Sequence, residues 1–153
     1  MATVARINVN PAGGVPKRAV GGALITRTGV GGDRQLDLEH HGGPERAVCL
    51  FSVELIEQLA AEGHPIAPGS TGENLTITGL DWAALVEGSR LAVGDDVVLE
   101  ITRAAPPCRT IAGSFTDGAF VRISDKVHPG WSRLYARVLR EGFVRDGAAV
   151  HLL

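Results

Sequence analysis

The amino-acid sequence predicts a mainly β fold carrying one or two short helices, and two observations support that reading. Short apolar segments, separated about every ten residues by Gly, Pro, Asp or Asn, have the spacing of strands and tight turns in a barrel or sandwich. A helical interval is clear only between Val53 and Ala60, so helix is the exception in this chain. The length of 153 residues suits one domain over 1–153. A core of that size hides about 70% of the surface its unfolded form exposes. No internal repeat, low-complexity tract or charge run interrupts it, and Gly and Pro are spread along the chain.

Taken in order, strands are expected at 4–9, 22–26, 47–51, 75–78, 97–103 and 148–152, each rich in β-branched or other apolar residues and close to turn formers. After the third strand Ser52 makes a good N-cap, Val53, Ile56, Leu59 and Ala60 share one face, and Gly63 before Pro65 provides a stop. A helix is expected there. Asp81 is a capping residue for a second, shorter helical turn through Trp82 and Val86 to Gly88, a decoration on the barrel. The stretch 132–141 has two readings. Leu134 and Val138 sit four apart as on a helix, whereas Tyr135 to Val138 also suit a strand, and Gly142 and Gly147 bracket a hairpin-like ending that favours strand.

Composition excludes several function classes. A formal net charge of -2 argues against nucleic acid as the main partner. Apolar runs such as Val97-Val98-Leu99-Glu100-Ile101 are short and interrupted, whereas a membrane span needs about twenty mostly apolar residues. Residues 1–9 lack the basic head, apolar middle and small-residue cleavage site of a secretory signal. The expected location is therefore cytoplasmic, with no membrane or nucleic-acid partner. Cys49 and Cys108 are too few for a disulfide framework and would stay thiols in a reducing compartment. A zinc site from these two with His40 and His41 lacks any paired Cys-x-x-Cys spacing to nucleate it.

Three stretches can carry chemistry. The first runs from Gly31 to Pro44 and contains Asp33, Arg34, His40, His41 and two glycine pairs. It reads either as a polar loop whose backbone approaches an anionic or metal-bearing partner, or as a sharp turn with exposed histidines. Adjacent residues on a strand point to opposite faces, so the two histidines would not share one ion. The second is Gly72-Glu73-Asn74-Leu75-Thr76. It supplies a donor–acceptor pair to a pocket, or else a turn in which Asn74 bonds nearby backbone.

The third, Arg103-Ala104-Ala105-Pro106-Pro107-Cys108-Arg109-Thr110, is the sharpest chemical signal. Two prolines fix the backbone and remove two donors, so the segment leaves regular pairing and presents a thiol at a strand end among basic residues. Nearby positive charge lowers a thiol's pKa from its usual value of about 8.5, and the thiolate is the form that attacks or binds soft metals. Cys49, by contrast, alternates with Ala47 and Phe51 along a strand, which is a core position for a small hydrophobe.

Read together, several ordered motifs resemble the MOSC family, and its small bacterial YiiM-like members most of all. They are Gly14-Val15-Pro16-Lys17, the loop from Gly32-Asp33-Arg34-Gln35 to His41-Gly42-Gly43, Ala47-Val48, Gly72-Glu73-Asn74-Leu75-Thr76, Pro107-Cys108 and Leu134-Tyr135-Ala136-Arg137-Val138-Leu139. The resemblance runs from near the N-terminus to about Gly147. It implies a β-barrel domain related to the C-terminal part of molybdenum-cofactor sulfurases, with the family's cysteine at Cys108. It further implies a protein that binds a molybdenum-pterin cofactor or carries sulfur.

On that resemblance Cys108 ligates molybdenum or accepts a sulfane sulfur as a persulfide, both tasks for a soft thiolate. Lys17, Arg34 and Arg109 are the cations expected near an anionic pterin or sulfur donor, and His41, Glu73 and Asn74 are expected to line the pocket. Three functions follow. The first is a molybdenum-cofactor enzyme reducing N-hydroxylated compounds with an electron-donating partner. The second is a metal-free sulfur carrier fed by a cysteine desulfurase, and the third a non-catalytic binding module. Two departures stand out: Ala104-Ala105 replaces a Pro-Arg pair common before the Pro-Cys, leaving Arg103 or Arg109 to substitute, and Trp131 replaces the Arg of a Gly-Arg pair.

Overall fold

The computed structural model describes residues 1–34 and 43–153. Its strands are β1 (Ala2–Val9), β2 (Arg18–Ala19), β3 (Gly22–Thr26), β4 (Gly29–Val30), β5 (Val48–Ser52), β6 (Leu75–Thr78), β7 (Arg90–Val93), β8 (Val97–Ala104), β9 (Leu134–Arg140), β10 (Gly142–Arg145) and β11 (Ala149–Leu152). One α-helix, α1 (Val53–Ala61), and short 3-10 segments complete the described residues. The mainly β expectation holds.

Seven strands close on themselves in the order β1-β11-β7-β8-β9-β5-β6, and β6 pairs back to β1. All these pairings are antiparallel except β5 with β6. Parallel neighbours need a crossover, and α1 supplies it. Closure removes exposed sheet edges. The barrel is filled by alternating inward residues, among them Val4, Ile7, Leu50, Leu91, Leu99, Ile101 and Ala136, all 0–1% exposed. Outside it, β10, β3 and β4 form a small antiparallel sheet, with Ala23, Ile25 and Val144 turned to the core and the cross-strand pair Leu24 and Phe143 half exposed.

Local chemistry explains the helix and the ambiguous stretch. The Ser52 hydroxyl accepts from Leu55 N–H at 3.2 Å, capping α1, and Gly63 takes φ +100° after the last turn. The stretch 132–141 becomes β9, because Leu134, Ala136 and Val138 all point inward at period two while the backbone pairs with β5 and β8 on either side. Their four-residue spacing is shared by a strand and a helix. The turn after Asp81 is a 3-10 segment, Trp82–Ala84, in which Asp81 contributes its carbonyl rather than a side-chain cap. Trp82 is buried and donates its indole N–H to Ser132 O at 2.8 Å, anchoring a segment whose Asp81, Ala83 and Ala84 are exposed.

Candidate functional site

Cys108 sits four residues beyond β8 in extended backbone (φ -143°, ψ 175°), partly exposed, at the start of a 3-10 segment, Arg109–Ser114. Its placement begins with β8. A bulge between Ile101 and Arg103 twists the strand end. Ala105 N–H then bonds Arg133 O at 2.8 Å, and the two prolines carry the chain out of the sheet. The segment is held on both sides of the thiol. Before it, the Arg133 guanidinium donates to Pro106 O at 3.2 Å and to Thr71 O at 2.7 Å. After it, Ser114 Oγ donates to Ser70 Oγ at 2.8 Å.

Both braces reach the turn from Gly69 to Asn74, which is the hub of the site. Gly69 has φ +83°, and a Cβ there would lie 2.3 Å from Lys17 O, so only glycine fits. Glu73 is fully buried, and its carboxylate accepts from Gly69 N–H (3.0 Å), Thr71 Oγ1 (3.0 Å) and Thr76 Oγ1 (3.1 Å). Burial pushes its pKa up, against the pull of those donors. Glu73 therefore organises the turn from inside.

Asn74 reaches away from its own turn. Its amide oxygen accepts from Cys49 N–H at 3.0 Å, and its nitrogen donates to Asn8 O and to Asp33 Oδ2, the latter at 2.9 Å. These are long-range bonds, not the local ones of a simple turn. Asp33 Oδ2 also accepts from Lys17 Nζ at 2.5 Å, with both side chains about 5% exposed or less, and Asp33 Oδ1 accepts from Asn10 N–H. The Lys17 charge is thus committed to an internal ion pair. Arg34 and Arg109 are exposed. His41 lies outside the described residues, as do Gln35 and His40.

Cys49 is 5% exposed and packs with Ala105 and Tyr135 in a small cluster apart from the main core. Burial pushes its thiol up to about 11, although Arg133 and Lys17 pull the other way. Burial also raises the Tyr135 phenol, and the Cys49 sulfur adds to the effect. Arg133, absent from the sequence-based site, is 3% exposed. Its legible signal was alternation, since it precedes Leu134 and shares the outward face of Tyr135 and Arg137, where loops now cover it.

A separate cavity of about 410 Å³ opens beside the end of β8, lined by Trp82, Leu85, Ile101, Arg103, Ala104 and Leu134 among others. Cys108 is not in its wall. Among the described residues no three His, Cys, Asp or Glu side chains gather as a metal site. No described helix is long and apolar enough to cross a membrane.

Comparison with known proteins places this architecture. The chain is 33% identical over 144 residues to the uncharacterized protein YflK of Bacillus subtilis, across 92% of this chain and 63% of that one. It is 31% identical over 138 residues to a protein of Gibberella moniliformis named "Reductase", across 87% of this chain and 24% of that one. This chain therefore spans less than two thirds of either relative. The crystal structure of YiiM from Geobacillus stearothermophilus superposes with a TM-score of 0.73 at 22% identity, covering all of this chain and 75% of that one. MOSC domains as a group are associated with molybdenum-cofactor binding. With the MOSC domain matching residues 37–151 and the barrel shared with YiiM, this chain belongs to the MOSC domain family.

Proposed function

We propose that this protein binds a molybdenum-pterin cofactor through Cys108 and reduces N-hydroxylated compounds in the cytoplasm. The single observation that carries the reading is a partly exposed thiol on a proline-stiffened segment braced from both sides. The residues present suit the group. Cys108 offers a soft sulfur, Arg34 and Arg109 offer exposed cations for the pterin's anionic tail, and Arg133 places an unneutralised charge beneath the thiol segment. When bound, the cofactor supplies two-electron redox chemistry. Conversion of an N–OH group to N–H consumes two electrons and two protons and releases water, so a separate electron-donating partner is required. The relative named "Reductase" supports this class of chemistry.

A second reading has one observation in its favour. Lys17 is neutralised by Asp33, which leaves fewer free cations for a phosphorylated pterin than the sequence suggests. On that reading Cys108 carries sulfur as a persulfide received from a cysteine desulfurase. Elemental analysis and intact mass of wild type and Cys108→Ser, purified from cells making molybdenum cofactor, separate the two. Molybdenum near one equivalent, lost on substitution, is the expected result. A labile extra sulfur without metal favours the carrier, and neither signal in the wild type contradicts both.

A further inference from the structure

Arg133 is a buried cation to which no carboxylate is hydrogen-bonded among the described residues. Its guanidinium donates to two backbone carbonyls, Thr71 O and Pro106 O, while its Nε is buried with no partner. Among the described residues no carboxylate pairs with it. Carbonyl dipoles hold a guanidinium in place but do not cancel its charge, and burying such an ion costs several kcal/mol. An apolar side chain of similar length would fill the same space without that cost. Glu73, the buried carboxylate of the same turn, accepts from Gly69 N–H, Thr71 Oγ1 and Thr76 Oγ1 and not from Arg133. Cys49 and Tyr135 are kept in their uncharged forms by burial, and Asp33 is matched by Lys17. The strand end does carry a cation, Arg103, but it is exposed.

We infer that Arg133 is the internal cation of the Cys108 site: a positioning residue that clamps the Pro106–Cys108 segment to the Gly69–Asn74 turn and makes the thiol's surroundings attractive to anions. This inference rests on the reading of Cys108 as the reactive group. The segment is oriented by two bonds from one rigid fork, and the charge lies within two residues of the sulfur along the chain. Exposed Arg109, next to Cys108 in sequence, and exposed Arg103 at the end of β8 are the competing sources of positive potential. The buried source is distinguishable from the exposed ones, since salt screens an exposed charge far more than a buried one.

The test uses the full chain made in cells unable to synthesise the pterin, so that Cys108 is unligated. Alkylation rates at Cys108 are measured with anionic iodoacetate and neutral iodoacetamide at fixed pH, in low and high salt, and their ratio is compared with that of a free thiol. The expected wild-type ratio is about fivefold above the free-thiol value, the scale of a local potential of a few kT or less. Arg109→Gln should keep most of that excess, with little salt dependence. Arg133→Met should lose it, and Arg133→Lys should recover much of it by restoring the charge alone. A ratio that falls to the free-thiol value in Arg109→Gln overturns the inference, and that comparison stands even if the Arg133 variants do not fold. A folded Arg133→Met with the wild-type ratio overturns it equally. Failure of Cys108 to react with either reagent would instead overturn the reading beneath it, whatever the molybdenum content of the loaded protein.

Discussion

Two cysteines of the same chain have opposite characters because of where the backbone puts them. Cys49 lies within β5, sealed by Ala105 and Tyr135, and its thiol is pushed up to about 11 by burial. At neutral pH it is a small hydrophobe. Cys108 lies past the end of β8, where two prolines forbid continued pairing, and stays partly exposed. Peptide mapping after brief iodoacetamide treatment at pH 7.5 should therefore find Cys108 labelled and Cys49 unlabelled until the protein is unfolded. Equal labelling of both in the folded protein would contradict this assignment. The contrast was readable in the sequence from period-two alternation around Cys49 and from Pro106-Pro107 before Cys108. The role of Lys17 was not, because its partner lies 16 positions away; that of Glu73 was not, because a turn wrapped around a buried carboxylate, with partners two to four residues away, has no periodic pattern.

At the scale of elements, the Gly69–Asn74 turn matters most, since it joins β1, β5, the Lys17 segment and both flanks of Cys108. Glu73 at its centre is buried with a raised pKa, chiefly through desolvation. The folded state thus holds the proton more tightly than the unfolded state. Its contribution is fully present below the ordinary carboxylate pKa of about 4.3 and is lost as pH rises through the higher folded value. Glu73→Gln removes that dependence while keeping an acceptor for Gly69 N–H. Thermal melts from pH 5 to 8 should show the variant gaining on wild type as pH rises, by about 1 kcal/mol or more per unit of pKa difference spanned. A gap constant with pH would contradict the burial argument.

Elements with a strong local signature were legible: the strands at Gly22–Thr26 and Leu75–Thr78 appear with the expected bounds, and α1 follows its Ser52 cap. β7 was missed because four residues between Glu87-Gly88-Ser89 and Gly94 give too short a pattern, and it forms only by pairing with β8 and β11. The 3-10 tract between Arg109 and Ile123 was missed as well. Its turns close on local carbonyls and pack through scattered residues, Ile111, Phe115 and Ile123, with no regular period.

At the scale of the whole molecule, a closed barrel makes the site rigid. β5, β8 and β9 are adjacent strands, so Cys49, Ala105, Arg133 and Tyr135 meet on one outer face while the other face fills the core. Closure itself was implied by the family resemblance; periodicity alone left barrel and sandwich open. The fold holds the segment before Cys108 against a buried arginine, an arrangement that needs long-range pairing to exist at all. On the proposed function, Cys108 supplies the protein's bond to the metal. X-ray absorption at the molybdenum edge of the cofactor-loaded protein tests this most directly. The account predicts one metal–sulfur contact more in the loaded wild-type protein than in the unbound cofactor, whereas identical sulfur coordination in the two would contradict it.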